Sequence, residues 1–400
     1  MFLVPPNIFI TWGLRAVSLV LLASPLVSSG QLPEEASFKT RYASLAAVEG
    51  IEILQSEDSL IAVSGPWQGR VFMSSLAGEA GEAIGWFRET GVQAVNASQR
   101  MAAQGGASRL RFGPEWGRFA LFFDEGVEQN AANVRSPSDL NDRLFTELGR
   151  SERSITHGAD LSLTNASGFR FELAVKRQIT LHTRREVEAA LQVELSDSVR
   201  SVGFEATTNI ENTGDRTWRR NTGLISIWEL SCLVPSAANW VIHPVRGEFD
   251  GVTEYFTSAD DRVRMGEGMV FYRADATGLN KIGVPPQHCR NVMGAYDPDR
   301  NLLTIVKFDL NPQGIYVNSR WEHENPYRGD VTNVFNGEVN ADLGRNWPFY
   351  ELESQSDSLE LAPGQTQRFS QSLFHFRGNR EALSEISEVV LGVSLKMLPP

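Results

Sequence analysis

The chain has 400 residues, 37 Lys and Arg against 49 Asp and Glu, a formal net charge of −12, and two cysteines. Its acidic balance disfavours nonspecific binding to nucleic acid or anionic lipid, both of which are polyanions. No zinc-ligand spacing, Walker loop, dinucleotide fingerprint or basic stripe with interleaved aromatics occurs in it.

Residues 1–29 read as a secretory signal peptide. The apolar run from Ala16 to Val27 follows Arg15, is too short and too broken by Pro25 for a membrane span, and leads into the small residues Ser28, Ser29 and Gly30. Cleavage after Ser29 leaves one expected domain, 30–400, with no stable membrane span and a periplasmic or secreted location. That compartment permits a disulfide between Cys232 and Cys289; two separately buried thiols are the alternative.

Near-helical spacing of Phe38, Tyr42, Leu45, Ala46 and Val48 predicts a first helix, stopped by Gly50. Short strands follow at 59–64 and 69–74, and another is expected from Arg118 to Asp124. A second helix is expected over Asp139 to Leu148, with Ser138 as its cap and Gly149 at its end. The clearest β signal runs from Phe169 to Leu181. There Phe171, Leu173, Val175, Arg177 and Ile179 share one parity, while Arg170, Glu172, Lys176 and Gln178 share the other. Such alternation suits a sheet with one wet face rather than parallel strands buried under helices. Segments 187–195, 202–212 and 224–234 continue the strand pattern, and later strands are expected at 269–275, 302–310, 314–321, 349–354, 357–362 and 369–378. A terminal helix is expected from Arg380 to Val389. With no repeat and no long linker, the pattern predicts one mainly β, antiparallel assembly with a few peripheral helices.

Residues 318–354 concentrate aromatics, amides and carboxylates, the mixture that a neutral, hydroxyl-rich ligand needs. Trp228, Trp240 and Trp321 are candidate stacking platforms; Arg320, Glu322, His323, Asn333 and Asn336 are candidate hydroxyl-binding groups. Core packing is the plainer reading for each Trp, and surface exposure for Glu322 and His323. Asp330, Asn333, Asn336, Glu338 and Asn340 read as a glycine-punctuated loop. They suit hydroxyls, calcium ligation or hydrogen bonding within the loop, although their spacing is not that of an EF-hand. No other metal or cofactor is expected. Glu229, a carboxylate among apolar neighbours, has to be solvated, paired or protonated. Glu351 and Glu353 share one strand parity, with Tyr350 and Leu352 on the other. Glu351 is the candidate base, with His243 or His323 as acid partner and Glu229 as a further candidate catalytic carboxylate; paired carboxylates would suit hydrolysis.

In GPWQGRVFMSS, WELSCLVPS, PYRGDVTNVFN, PFYELES and LAPGQTQRFSQSLFHFRG the chain resembles a family of exported bacterial proteins carrying a domain of unknown function. That family looks related to the galactose-mutarotase-like superfamily. The resemblance covers most of the mature chain and implies a large two-sheet antiparallel β-sandwich, a supersandwich, that binds or processes carbohydrate in its concave face. It further implies a late general-base Glu, matched by Glu351, and a middle-region general-acid His, for which His243 is the regional counterpart. The superfamily's short His-containing motifs are not reproduced. The expected function is an exported carbohydrate-active protein that binds an oligosaccharide or glycan. If it is an enzyme, the candidate classes are glycoside hydrolase, sugar epimerase and polysaccharide lyase. The alternative is a non-catalytic periplasmic glycan-binding or envelope-assembly protein, since fold alone transfers no activity.

Overall fold

The computed structural model describes residues 36–46, 48–89 and 105–399; the expected signal segment lies outside the described residues. Strands β1 (Ile51–Ser56), β2 (Ser59–Ser64) and β3 (Arg70–Ser75) pair antiparallel as a small sheet. The chain continues through β4 (Arg109–Gly113), β5 (Thr146–Arg150), β6 (Ser154–Thr164), β7 (Arg170–Leu181) and β8 (Arg200–Asn212). Next come β9 (Ser226–Leu233), β10 (Trp240–Pro244), β11 (Thr253–Glu254), β12 (Val263–Gly266), β13 (Met269–Arg273) and β14 (Thr277–Val284). The last six are β15 (Val292–Asp297), β16 (Leu302–Phe308), β17 (Thr332–Asn340), β18 (Arg345–Asn346), β19 (Tyr350–Gln355) and β20 (Thr366–Arg377).

Ten strands form one large sheet in the order β12-β13-β10-β15-β16-β20-β8-β7-β6-β5. A seven-stranded sheet runs β11-β14-β17-β19-β9-β4, with β18 beside β17. The two pack face to face over a shared apolar core that includes Phe171, Leu173 and Val175 of β7, Phe112 of β4, Ile227 of β9 and Leu352 of β19. This is the two-sheet antiparallel sandwich that the resemblance implied. Period-two alternation produces it: on β7 the odd-numbered residues from Phe171 to Leu181 are buried, and Arg177 goes inward with them.

Four helices sit at the periphery of the described residues. Helix α1 (Phe38–Ser44), N-capped by the Ser37 hydroxyl, packs with Trp67, Phe72 and Phe87 on the small sheet. Helix α2 (Ser138–Asp142) is one short turn, and α3 (Arg184–Leu191) and α4 (Arg380–Val390) cover the outer face of the ten-stranded sheet.

Several segments depart from the sequence reading. Residues 187–195 were expected as strand, but α3 occupies most of them. A capping box starts it: the Thr183 side chain accepts from Glu186 N, and the Glu186 carboxylate accepts from Thr183 N. The expected helix over 139–148 ends at Asp142, and β5 takes its second half. Residues 118–124 form no strand. Phe119 to Phe123 are all buried, a continuous apolar run without the alternation of a half-wet strand, and the preceding Arg109–Gly113 pairs instead. Segments 314–321 and 357–362 are likewise irregular. Conversely, most of the expected loop through Asp330–Asn340 is β17, flanked by β14 and β19. Cys232 and Cys289 are both buried and both free.

Among the described residues, one ion pair crosses the sandwich. Arg177 of β7 and Glu229 of β9 are both fully buried and hydrogen-bond each other, Nη2 reaching Oε2 at 3.0 Å. Arg177 also donates to Thr208 Oγ1 of β8 at 2.9 Å, Ser108 Oγ at 2.8 Å and the Gly69 carbonyl at 3.3 Å. Gly69 has φ +61°, and a Cβ there would stand 3.2 Å from Arg177 Cδ. The pair thus ties both large sheets to the turn before β3. Burying two charges is tolerable only while every polar atom is matched, and removing one partner strands the other. Arg177→Ala should therefore lower unfolding stability by about 3–5 kcal/mol, whereas Arg150→Ala, at an exposed ion pair, should leave the urea midpoint almost unchanged; equal midpoints for the two variants would refute this.

Candidate functional site

Register decides which side chains share the face of the seven-stranded sheet turned away from its partner. Successive pairings align Lys281 with Phe335, Phe335 with Glu351, and Glu351 with Cys232. A second row on that face runs Gly283, Asn333, Glu353, Leu230 and Arg109; a third holds Gln355, Trp228 and Arg111. Directly opposed residues stand roughly 5 Å apart at Cβ. Three short rows therefore gather two carboxylates, three cations, two amides and two aromatic rings.

Glu353 is buried. Its Oε2 accepts from Lys281 Nζ at 2.8 Å and from Trp228 Nε1 at 3.0 Å, while Oε1 is buried without a partner. Burial lifts the Glu353 carboxyl above the usual carboxylate range; Lys281 draws it down and the Glu351 charge pushes it up. Glu351 is only half-buried and accepts from Cys232 Sγ at 2.7 Å. Burial, reinforced by the adjacent Glu351, keeps that thiol protonated, and so a donor.

Cations cover Trp228. Lys281 Nζ lies 4.9 Å from its ring centroid and the Arg111 guanidinium also 4.9 Å, and Arg111 is in turn held by Glu115 at 3.2 Å. Apolar surface on this face comes instead from half-buried Phe335, which meets exposed Phe256 edge-on at 6.3 Å and leans on Phe349 at 5.6 Å. Phe349 stacks on Trp86 at 4.1 Å. At one border Asp330 accepts from Tyr255 at 2.7 Å and from Thr253 at 3.1 Å, and burial raises its carboxyl to about 6. Gly283 makes room for this, since a Cβ there would lie 2.3 Å from Asp330 Oδ2.

Of the residues singled out in the sequence, Glu351, Trp228 and Asn333 meet on this face. Trp228 is buried beneath its cations, so it orients Glu353 and presents no open ring. Glu229 points the other way, into the core with Arg177, because it lies one residue from Trp228 on the same strand. His243 is also between the sheets. Its Nδ1–H donates to the Pro244 carbonyl, Nε2 accepts from Thr332 Oγ1 at 2.7 Å, and burial lowers it to about 4, leaving it neutral. Asn336 is buried and binds Ala276 N and the Gly278 carbonyl, so it and Asn333 face opposite ways and the β17 oxygens do not converge as a calcium cage would require. Trp240 packs under α3 and α4 on the far side of the ten-stranded sheet. Arg320 and Glu322 form a half-exposed pair at 3.1 Å, His323 is exposed, and Trp321 stacks on Trp116 at 4.1 Å with more than half its surface open.

Sequence reading missed Lys281, Arg109 and Arg111, and read Cys232 only as a disulfide candidate or a buried thiol. A period-two pair of arginines in Arg109–Gly113 was the available signal for two of them. Nothing local marks Lys281, whose partners are Trp228 of β9, Glu353 of β19 and Tyr255, just after β11.

A family model matches residues 36–399. The chain belongs to the family of unknown function DUF6786. No curated protein matches this DUF6786 member in sequence. Solved structures similar to it include a galactose mutarotase-like protein from Lactobacillus casei ATCC 334, at 10% identity over 82% of this chain and 100% of that one, with TM-score 0.47. Another is the Slr1438 protein from Synechocystis sp. PCC 6803, at 12% identity over 82% and 96% respectively, with TM-score 0.49. A galactose mutarotase related enzyme from Lactobacillus acidophilus has 9% identity over 82% and 97%, with TM-score 0.43.

The raised Asp330 carboxyl has a pH signature. Its folded state favours the protonated form, so its contribution to stability is whole below the unfolded pKa of about 4 and disappears as pH rises through about 6. Relative to Asp330→Asn, the wild-type protein should lose about 3 kcal/mol between those limits. Urea titrations in parallel from pH 4 to 8 measure the difference; a flat one rejects it.

Proposed function

We propose that this protein binds a carbohydrate on the outward-facing rows of the seven-stranded sheet, at the part-exposed Glu351 and Phe335, and moves a proton at the sugar with Glu351. The observation that carries the reading is the Glu351 carboxylate: half-buried, oriented by a thiol donor, beside the open edge of Phe335, with Glu353 behind it. A ligand on this face meets Glu351 before Glu353, because only Glu351 retains accessible surface. Phe335 supplies an apolar contact for the C–H face of a sugar ring, with Phe256 set edge-on beside it, and Lys281 and Asn333 sit in the adjoining positions. Glu353, held above the ordinary carboxylate range, limits the negative charge next to Glu351 and offers Oε1 as an unused acceptor. That arrangement suits proton transfer at an anomeric or ring oxygen. Glu351 and Glu353 lie two residues apart on one strand face, on the same side of any ligand resting there, so an opposite-side proton donor would come from the sugar or from solvent. An exported location, periplasmic or secreted, belongs to this proposal.

The test combines binding and turnover. Calorimetry against a panel of neutral and acidic mono- and oligosaccharides should find a ligand, and Phe335→Ala should weaken it at least tenfold. Proton NMR of anomer interconversion and of reducing-end release should show turnover that Glu351→Gln lowers by about 10²–10⁴-fold with binding retained. Binding without turnover in the wild type would replace the catalytic reading with a glycan-binding protein. No binding across the panel would end the carbohydrate reading.

A further inference from the structure

Arg109 is an unmatched cation on this face. It is buried, its Nε has no partner, and it makes no hydrogen bond or ion pair with any described residue. Its neighbouring cations have partners: Arg111 is bound to Glu115 at 3.2 Å, Lys281 to Glu353 at 2.8 Å, and Arg70 donates to the Gly105 carbonyl at 3.3 Å and Gln68 Oε1 at 3.4 Å. Glu351 acts on Arg109 only through space, opposing the effect of burial and of Arg111, which lower the guanidinium to about 10. At neutral pH Arg109 stays charged. A buried charge without a contacting counter-ion is costly unless a ligand completes it.

We infer that the sugar bound at this site carries a carboxylate, as a uronic acid does, and that Arg109 is the residue that reads it. This rests on the carbohydrate reading above and adds to it. Arg109 stands two strands from Glu353 in the same cross-strand row and close enough to Glu351 to feel its charge, so a carboxylate held by Arg109 would direct the rest of the sugar toward Glu351. A planar guanidinium with free donors matches a carboxylate in fork geometry. One unmatched positive charge calls for a monoanion. A dianionic phosphate would add a second negative charge beside Glu351 and Glu353, which already repel each other.

The experiment measures affinity for glucuronate, glucose and glucose 6-phosphate, and for oligogalacturonate against a neutral galacto-oligosaccharide, in the wild type, Arg109→Gln and Arg109→Lys. Acidic sugars should bind the wild type at least tenfold more tightly than their neutral counterparts. Arg109→Gln should erase that ratio while leaving affinity for neutral sugar intact, and Arg109→Lys should recover part of it. The melting temperature of Arg109→Gln should hold or rise, since a stranded charge has been removed; a fall of several degrees would make Arg109 a structural residue and overturn the inference. Neutral and acidic sugars binding equally would overturn it too, with the carbohydrate reading left standing. Tighter binding of glucose 6-phosphate than glucuronate would overturn the choice of carboxylate. If no sugar binds at all, the carbohydrate reading falls and this inference with it.

Discussion

The buried pairing of Arg177 with Glu229 is the contact on which the arrangement of the sheets depends. It joins β7 of one large sheet to β9 of the other, takes in Thr208 and Ser108, and reaches the turn at Gly69. An apolar interface tolerates small sliding, because dispersion and burial are nearly indifferent to direction. A guanidinium–carboxylate fork in the same interface is not indifferent, since any displacement leaves charges in a medium that cannot solvate them. Further polar contacts cross the same core: His243 to Thr332, Tyr272 to Asn280, and Gln371 to Ser354 and Ser231.

The chemistry on the opposite face follows from that constraint through the two-residue period of a strand. With Glu229 held inward, Trp228, Leu230 and Cys232 turn outward, and their partners Gln355, Glu353 and Glu351 turn with them. A slip of one residue would send the whole set into the core. The outward face can then collect charged groups at a density that would unfold a core. Arg111 and Lys281 are compensated by Glu115 and Glu353, and the fit stops short at Arg109 and at Glu353 Oε1. Local mismatch of this kind is costly to a free protein and useful to one that binds. The neutral His243 and the satisfied Glu229, by contrast, are core groups whose hydrogen bonds are spent on holding sheets together.

Much of the architecture could be read from residue order. Arg177 falls on the apolar parity of its strand, and Glu351 and Glu353 share a parity; both placements are seen in the fold. The errors have local causes. Thr183 and Glu186 form a capping box that outweighs the strand-like look of 187–195, and the continuous apolar run at Phe119–Phe123 packs as a buried loop. For the site, parity along one strand was legible but facing was not. Trp228 and Glu229 looked equally suited to a cleft, and nothing within β9 says which of them meets Arg177.

What the amino-acid order determined by itself was the period of each strand, the antiparallel and mainly β class, and the sets of residues that must travel together on one side of a strand, because these depend on backbone geometry and nearest neighbours. What only the tertiary structure decided was which set faces solvent and which residues from other strands complete it. Arg109, Lys281, Cys232 and Glu351 come from four strands whose proximity is a matter of sheet order and register, and a buried charge shows itself as satisfied or unmatched only once every potential partner has been brought into place.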